Sequence, residues 1–242
     1  HIADSPADAA RDADVIVSML SDDDASRAAW TGADGALEAA RPGTVLVECS
    51  TLTPGWITEL ASLASKRDLK LLDAPVTGSR AQAAAAQLTF LVGGDAAAVE
   101  QARPALAVMG KQIVHLGPVG SGARMKLINN FLCGVQVASL AEGMAWIERS
   151  GLDREQALTV LKNGAPGSPL LGTMSARMTE ATYDVQFLLS LMGKDLHYAH
   201  LDAATLGVEL RTAKTAEERF NEAAKAGYAD KDMSAVVEPL RG

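Results

Sequence analysis

The sequence predicts an α/β layered domain followed by an all-helical one, with a long helix joining the two. Three observations carry that expectation. Five short β-branched runs alternate with helical stretches in the first half, the strands stop after Gly117, and Ala123 to Ser150 has helical composition without a proline. With 242 residues, 48% of them hydrophobic and 21% charged, the chain can bury a sizeable core in one large or two moderate domains.

The strands are expected at "ADVIVSML" (13–20), "GTVLVECS" (43–50), "LKLLDAPV" (69–76), "LTFLVGG" (88–94) and "KQIVHLG" (111–117). Between them, Thr53 as N-cap with Pro54 at the first helical position opens a helix over Pro54–Arg67, and a second follows "GGD" over Ala96–Met109. Strands this apolar suit a layer covered on both faces, with the early strands parallel. "GPVGSG" (117–122) reads as a flexible connector, so the boundary is placed between residues 119 and 120. A helix over 123–150 follows, about 42 Å long at 1.5 Å per residue. Gly151 stops it, and helical segments continue to the end.

The net charge of −8, with no lysine- or arginine-rich block, argues against a nucleic-acid surface and for a small-molecule partner. Cys49 and Cys133 both sit in apolar stretches, as buried thiols do in a reducing compartment. No apolar run approaches the roughly 18 to 20 residues of a membrane span, and "HIADSPADAARDAD" lacks an export pattern. A cytoplasmic protein is expected.

Lys126 and Asn130 lie one turn apart on the long helix, on one face. Ligands of open α/β sheets bind beyond the carboxyl ends of the strands, and clefts between domains are favoured pockets. Ser50 and Thr51 fall at such a strand end. Thr77, Gly78 and Ser79 form a small-residue turn whose backbone N–H groups could hold a carboxylate. Lys194 and Asp195 fall inside a helical segment. His115 reads as a packed strand residue. His197 and His200, three apart on one helix, have metal-ligand spacing but no evident carboxylate partner, so no metal site is expected.

Taken in order, "ML" (19–20), "ECSTLTP", "DAPVTGS", "LTFLVGGD", "GPVGSGARMKLINN" and "MGKDL", with the tail "GYADKDMSAVVEPL", resemble the β-hydroxyacid dehydrogenase family, the relatives of 3-hydroxyisobutyrate dehydrogenase. The resemblance runs from about residue 13 to the end. It implies a Rossmann-type dinucleotide-binding domain over 1–119, a helical domain over 120–242 and a homodimer or homotetramer. It also implies hydride transfer between NAD or NADP and a small β-hydroxy acid or the corresponding semialdehyde or keto acid. Lys126 becomes the general acid/base and Asn130 its neighbour on the substrate. Thr77, Gly78 and Ser79 receive the substrate carboxylate, Leu20 and Thr51 line the nicotinamide, and Lys194 closes over the cofactor. The chemistry suits a lysine: an ammonium both stabilises the charge that hydride leaves on oxygen and donates the proton, and partial burial draws its pKa toward working pH.

The Thr-Gly-Ser loop, followed by "RAQAAAAQ", resembles the glyoxylate and succinic semialdehyde reductase branch. Asn129 departs from phosphogluconate dehydrogenases, which carry histidine there, and Lys126 departs from imine reductases, which generally replace it. The family's opening strand and G-x-G-x-x-G turn find no counterpart here, since the sequence opens just before what resembles the fourth strand. The expectation is therefore a piece of a longer protein. The alternative is a natural shortened relative, a cofactor-poor structural or interaction dimer.

Overall fold

Polar caps and β-branched runs set the elements of the first half. The structure, a computed structural model, describes residues 2–241. α1 (Pro6–Ala10) leads into β1 (Val15–Ser18), α2 (Asp23–Thr31), α3 (Ala36–Ala39) and β2 (Val45–Glu48). α4 (Pro54–Ser65) starts as its sequence predicts, with the Thr53 hydroxyl accepting from the Trp56 N–H at 3.2 Å. Asp23 fixes that cap in turn, accepting from the Thr53 N–H at 2.9 Å and its hydroxyl at 2.6 Å. Then come β3 (Lys70–Asp73), β4 (Val76–Thr77), α5 (Arg80–Ala84), β5 (Leu88–Gly93), α6 (Ala96–Ala107) and β6 (Gly110–Gly117).

β1, β2 and β3 are parallel, and Ser18, Glu48 and Asp73 align in register at their carboxyl ends. β5 runs antiparallel to β3 and β4, and β6 parallel to β5. All five expected strands are present. β4 was not expected as a separate strand: it continues the β3 pairing to β5 after a break at Ala74-Pro75. Pro75 has no N–H to give the ladder, but its carbonyl accepts from the Leu91 N–H at 2.8 Å. Full burial on both faces holds for β2, whose residues alternate between two cores. Leu46 packs with Trp30, Trp56 and Leu60 on one side, while Val45 and Val47 pack with Phe90, Val92 and Leu106 on the other. β1 and β6 are partly exposed.

α7 (Ser121–Ser150) is the long helix, two residues longer at its start than its sequence suggested. By contacts the chain divides after Leu127, inside this helix and not before it. The reason is local. The Asp73 carboxylate accepts from the N–H groups of Gly120 (2.8 Å) and Ala123 (2.7 Å), tying the first turn of α7 to the sheet. Within "GPVGSG", Gly120 is therefore held against the sheet, and Ser121 and Gly122 already belong to α7. Gly122 lies in the first turn, where a Cβ would stand 2.1 Å from the Leu91 carbonyl oxygen, so this glycine allows close packing and not bending.

The second unit is helical, as expected: α8 (Arg154–Asn163), α9 (Pro169–Glu180), α10 (Leu189–Thr205), α11 (Arg211–Ala223), a π-helical turn at Ala224–Tyr228, a 3-10 turn at Met233–Val237, and α12 (Glu238–Arg241). Its core gathers Val137, Met144, Met174, Met178, Met192 and Phe220. Among the described residues no helix is long and apolar enough to cross a membrane.

Candidate active site

The carboxyl ends of β1, β2 and β3 finish level, so the residues that follow them emerge along one edge of the sheet, where an open α/β sheet binds ligands. A buried carboxylate organises this edge. Glu48 accepts from Ser26 Oγ (2.8 Å), Trp30 Nε1 (2.8 Å) and the Ser50 N–H (2.9 Å), and Ser26 Oγ accepts from Trp56 Nε1 (2.8 Å). The Ser50 hydroxyl then accepts from the Leu20 N–H at 2.7 Å. Leu20 is therefore held through Ser50 by a group that is itself fully buried. Thr51, next to Ser50, is half-buried. Burial pushes the Cys49 thiol up, with the Glu48 charge adding to it, which makes it an inert core thiol.

Asp73 ends β3 and caps α7. Burial pushes its carboxyl above the ordinary range, against the N–H donors of Ala123, Gly120 and Gly122 that pull it down. A Cβ on Gly93 would sit 2.5 Å from this carboxylate, so the cap needs a glycine on the facing strand. Lys126 lies one turn after Ala123 on the helix so anchored, and it is buried, with 8% of its surface exposed.

Thr77 ends β4, and Gly78 (φ 117°) leads to Ser79, the N-cap of α5. The sequence suggested open backbone donors here, and the structure corrects that at Ser79. Its N–H donates to Gln82 Oε1 at 2.9 Å and its hydroxyl turns to the same oxygen, a Ser-x-x-Gln capping box. An anion at this loop competes with Gln82.

In the second unit Asn130 on α7 is buried, and its Nδ2 donates to Asp195 Oδ2 on α10 at 2.6 Å, while its Oδ1 accepts from Asn129 Nδ2 at 2.9 Å. Asp195 also pairs with Lys194, at 2.9 Å from Nζ, and that ammonium lies 4.6 Å from the Tyr198 ring centroid. One buried carboxylate thus orients two of the expected site residues. Sequence reasoning noted Asp195 beside Lys194 without giving it a role, and passed over Glu48 and Asp73. The available signal was the same for each: an acidic residue inside an apolar run, which burial tolerates only with several donors around it.

The residues present suit the nicotinamide end of a dinucleotide. They supply a level strand edge, a fixed Leu20 backbone, Thr51, and a Ser18 hydroxyl that is buried without a hydrogen-bond partner at the end of β1. The turns after β1 and β2, "MLSD" and "CSTLT", contain no glycine, so neither is the phosphate cradle of such a fold.

Residues 1–117 match the family model described as the NAD binding domain of 6-phosphogluconate dehydrogenase, and residues 120–240 match that described as NAD-binding of NADP-dependent 3-hydroxyisobutyrate dehydrogenase. The chain is 36% identical to the NAD-dependent L-serine dehydrogenase of Pseudomonas aeruginosa, over 99% of its own length and 84% of that protein's. It is 30% identical to glyoxylate/succinic semialdehyde reductase 1 of Arabidopsis thaliana, covering 99% of this chain and 83% of that one. Among solved structures, the 3-hydroxyisobutyrate dehydrogenase of Mycobacterium tuberculosis with L-serine superposes with a TM-score of 0.88 at 32% identity, covering 99% of this chain and 83% of that one. Two matched models spanning the sheet unit and the helical unit, with relatives similar over nearly the whole chain, place this protein in the β-hydroxyacid dehydrogenase family, as an NAD(P)-dependent oxidoreductase.

Proposed function

We propose that the protein interconverts a short β-hydroxy acid and its semialdehyde or keto acid, with Lys126 as the proton donor and acceptor. The observation that carries this reading is the burial of Lys126 on a helix whose first turn is locked to the sheet by Asp73. The nicotinamide, when bound, supplies or takes the hydride. Lys126 gives its proton to the substrate oxygen as negative charge develops there, and in the oxidative direction the neutral amine takes it back. Asn130 has one Nδ2 hydrogen on Asp195 and one Oδ1 lone pair on Asn129, so a second donor and a second lone pair remain for the substrate hydroxyl.

The remaining roles follow the same reading. Thr77, Gly78 and Ser79 hold the substrate carboxylate once Gln82 yields its place. Leu20 and Thr51 border the nicotinamide, and Lys194, oriented by Asp195, contacts the cofactor. The Thr-Gly-Ser loop supports glyoxylate or succinic semialdehyde as substrate, and the L-serine and 3-hydroxyisobutyrate relatives support β-hydroxy acids of similar size. The cofactor-poor alternative is not favoured, since the relatives carry dehydrogenase and reductase activities along nearly the whole chain. Initial rates with NADH and NADPH on glyoxylate and succinic semialdehyde, and with NAD and NADP on L-serine and 3-hydroxyisobutyrate, test this. Turnover on at least one pair is expected; none on any pair would contradict it.

We also propose self-association through α7, which exposes Ile128, Leu132 and Trp146, and a cytoplasmic setting in keeping with the free thiols of Cys49 and Cys133. Light scattering should give at least a dimer mass. A monomer at micromolar concentration would refute the association.

A further inference from the structure

The sequence left His197 and His200 without a carboxylate partner, and α11 supplies one. Glu217 faces both rings. Its Oε1 lies 3.2 Å from His197 Nδ1 and its Oε2 lies 3.5 Å from His200 Nε2. The rings stand nearly perpendicular, 85° between planes with centroids 5.1 Å apart, so they meet edge to face and do not stack. One ligand atom from each of the three side chains falls within 4.8 Å of the others. Two imidazoles and a carboxylate are the donor set of three-ligand zinc sites, which leave further positions to water. Zinc bonds of about 2.0–2.1 Å in tetrahedral geometry hold ligand atoms roughly 3.4 Å apart. Each histidine nitrogen already stands near that distance from its own oxygen of the Glu217 carboxylate, 3.2 Å for His197 and 3.5 Å for His200.

The elements favour such a set. Residues three apart on a helix share a face, so α10 presents both histidines together, and Glu217 approaches from α11. His197 is exposed and the other two are half-buried, so the histidine with most freedom can make the final adjustment. His200 also lines an open cavity with Gly207, Glu209 and Lys214, through which water and an ion can arrive. The ligand types suit borderline divalent ions over magnesium or calcium, which prefer all-oxygen sets.

We propose that His197, His200 and Glu217 bind a zinc ion that staples α10 to α11. Without the metal the same groups are joined only by hydrogen bonds or ion pairs at a solvent-accessible site, which are weak. With it, the link becomes two imidazole bonds and one carboxylate bond between the helices.

Calorimetric titration of zinc chloride into the full chain tests this, beside His200→Ala and Glu217→Gln. One site is expected, and each variant should weaken it at least about 10-fold, a minimum for a lost ligand given what lost supporting residues cost. Zinc should raise the Tm of the unaltered chain by more than that of either variant at the same concentration, while magnesium chloride should raise none of them. Glu217→Gln keeps size and hydrogen bonding, so it remains informative if His200→Ala folds poorly. Zinc affinity unchanged in Glu217→Gln, no zinc binding by the unaltered chain, or an equal response to magnesium would overturn the proposal.

Discussion

Glu48 is a carboxylate on a central strand with no exposed surface, and its cost is met by donors from Ser26, Trp30 and Ser50. Glu48→Ala leaves three donors without their acceptor, one of them the backbone N–H of Ser50. A loss of about 3 kcal/mol is expected, read as a lower urea midpoint with unchanged slope. Asp195→Ala should likewise cost about 3 kcal/mol, since Lys194 and Asn130 lose the group that orients them. A loss below about 1 kcal/mol in either variant would contradict the networks described. At this scale the sequence was legible where a residue stood out by type, as Lys126 and Asn130 did in an apolar helix. It was silent where meaning depends on partners 18 to 65 positions away, the separations of Glu48 from Trp30 and of Asn130 from Asp195. For the same reason Glu217, which lies 20 positions from His197, could not be joined to it from spacing alone.

Elements were easier to read than their joints. Short β-branched apolar runs and the Thr53-Pro54 cap specify strands and helices locally, and the five expected strands and the helix after Thr53 formed. Glycine was harder, because the same residue serves bending and close approach. Gly122 looked like part of a hinge, yet its position against Leu91 and Asp73 makes it a contact point between helix and sheet. Gly122→Ala should therefore destabilise the first unit by about 3 kcal/mol, the upper end of overpacking costs, because the obstruction is backbone and cannot rotate away. Gly143, where a Cβ meets nothing within 4 Å, is the control on the same helix. Gly143→Ala should be neutral or stabilising by helix propensity, up to about 1 kcal/mol. Thermal melts of both variants separate the two roles, and equal destabilisation would undo the close-approach reading. β4 escaped notice because the break at Ala74-Pro75 is visible in sequence while the resumed pairing with β5 is not.

At the scale of the whole molecule, two buried aspartates give the units opposite responses to pH. Asp232 is pushed up by burial, but donors from Ser234, Gln186 and Phe187 outweigh that and hold it below its ordinary value of 3.8, with Arg177 at 2.9 Å. Its contribution is therefore present above pH 3.8 and disappears as pH falls through the lower folded value. Asp73 is raised, so its ionisation costs stability as pH climbs from 3.8 through the higher folded value. Asp232→Asn should flatten the acid limb of stability against pH, and Asp73→Asn should steepen the net gain from pH 4 upward. Denaturant midpoints measured from pH 3 to 7 read both, and a steeper acid limb in Asp232→Asn would contradict the first. The sequence made the α/β-then-helical plan legible because it depends on local periodicity; the tie between the tail and α9 through Asp232 and Arg177 depends on residues 55 apart and was not. The central claim concerns one amine, and the direct measurement is kcat for Lys126→Ala beside cofactor affinity by nicotinamide fluorescence. Turnover should fall at least about 100-fold with affinity nearly unchanged; turnover within a few-fold of the unaltered protein would remove Lys126 from proton transfer.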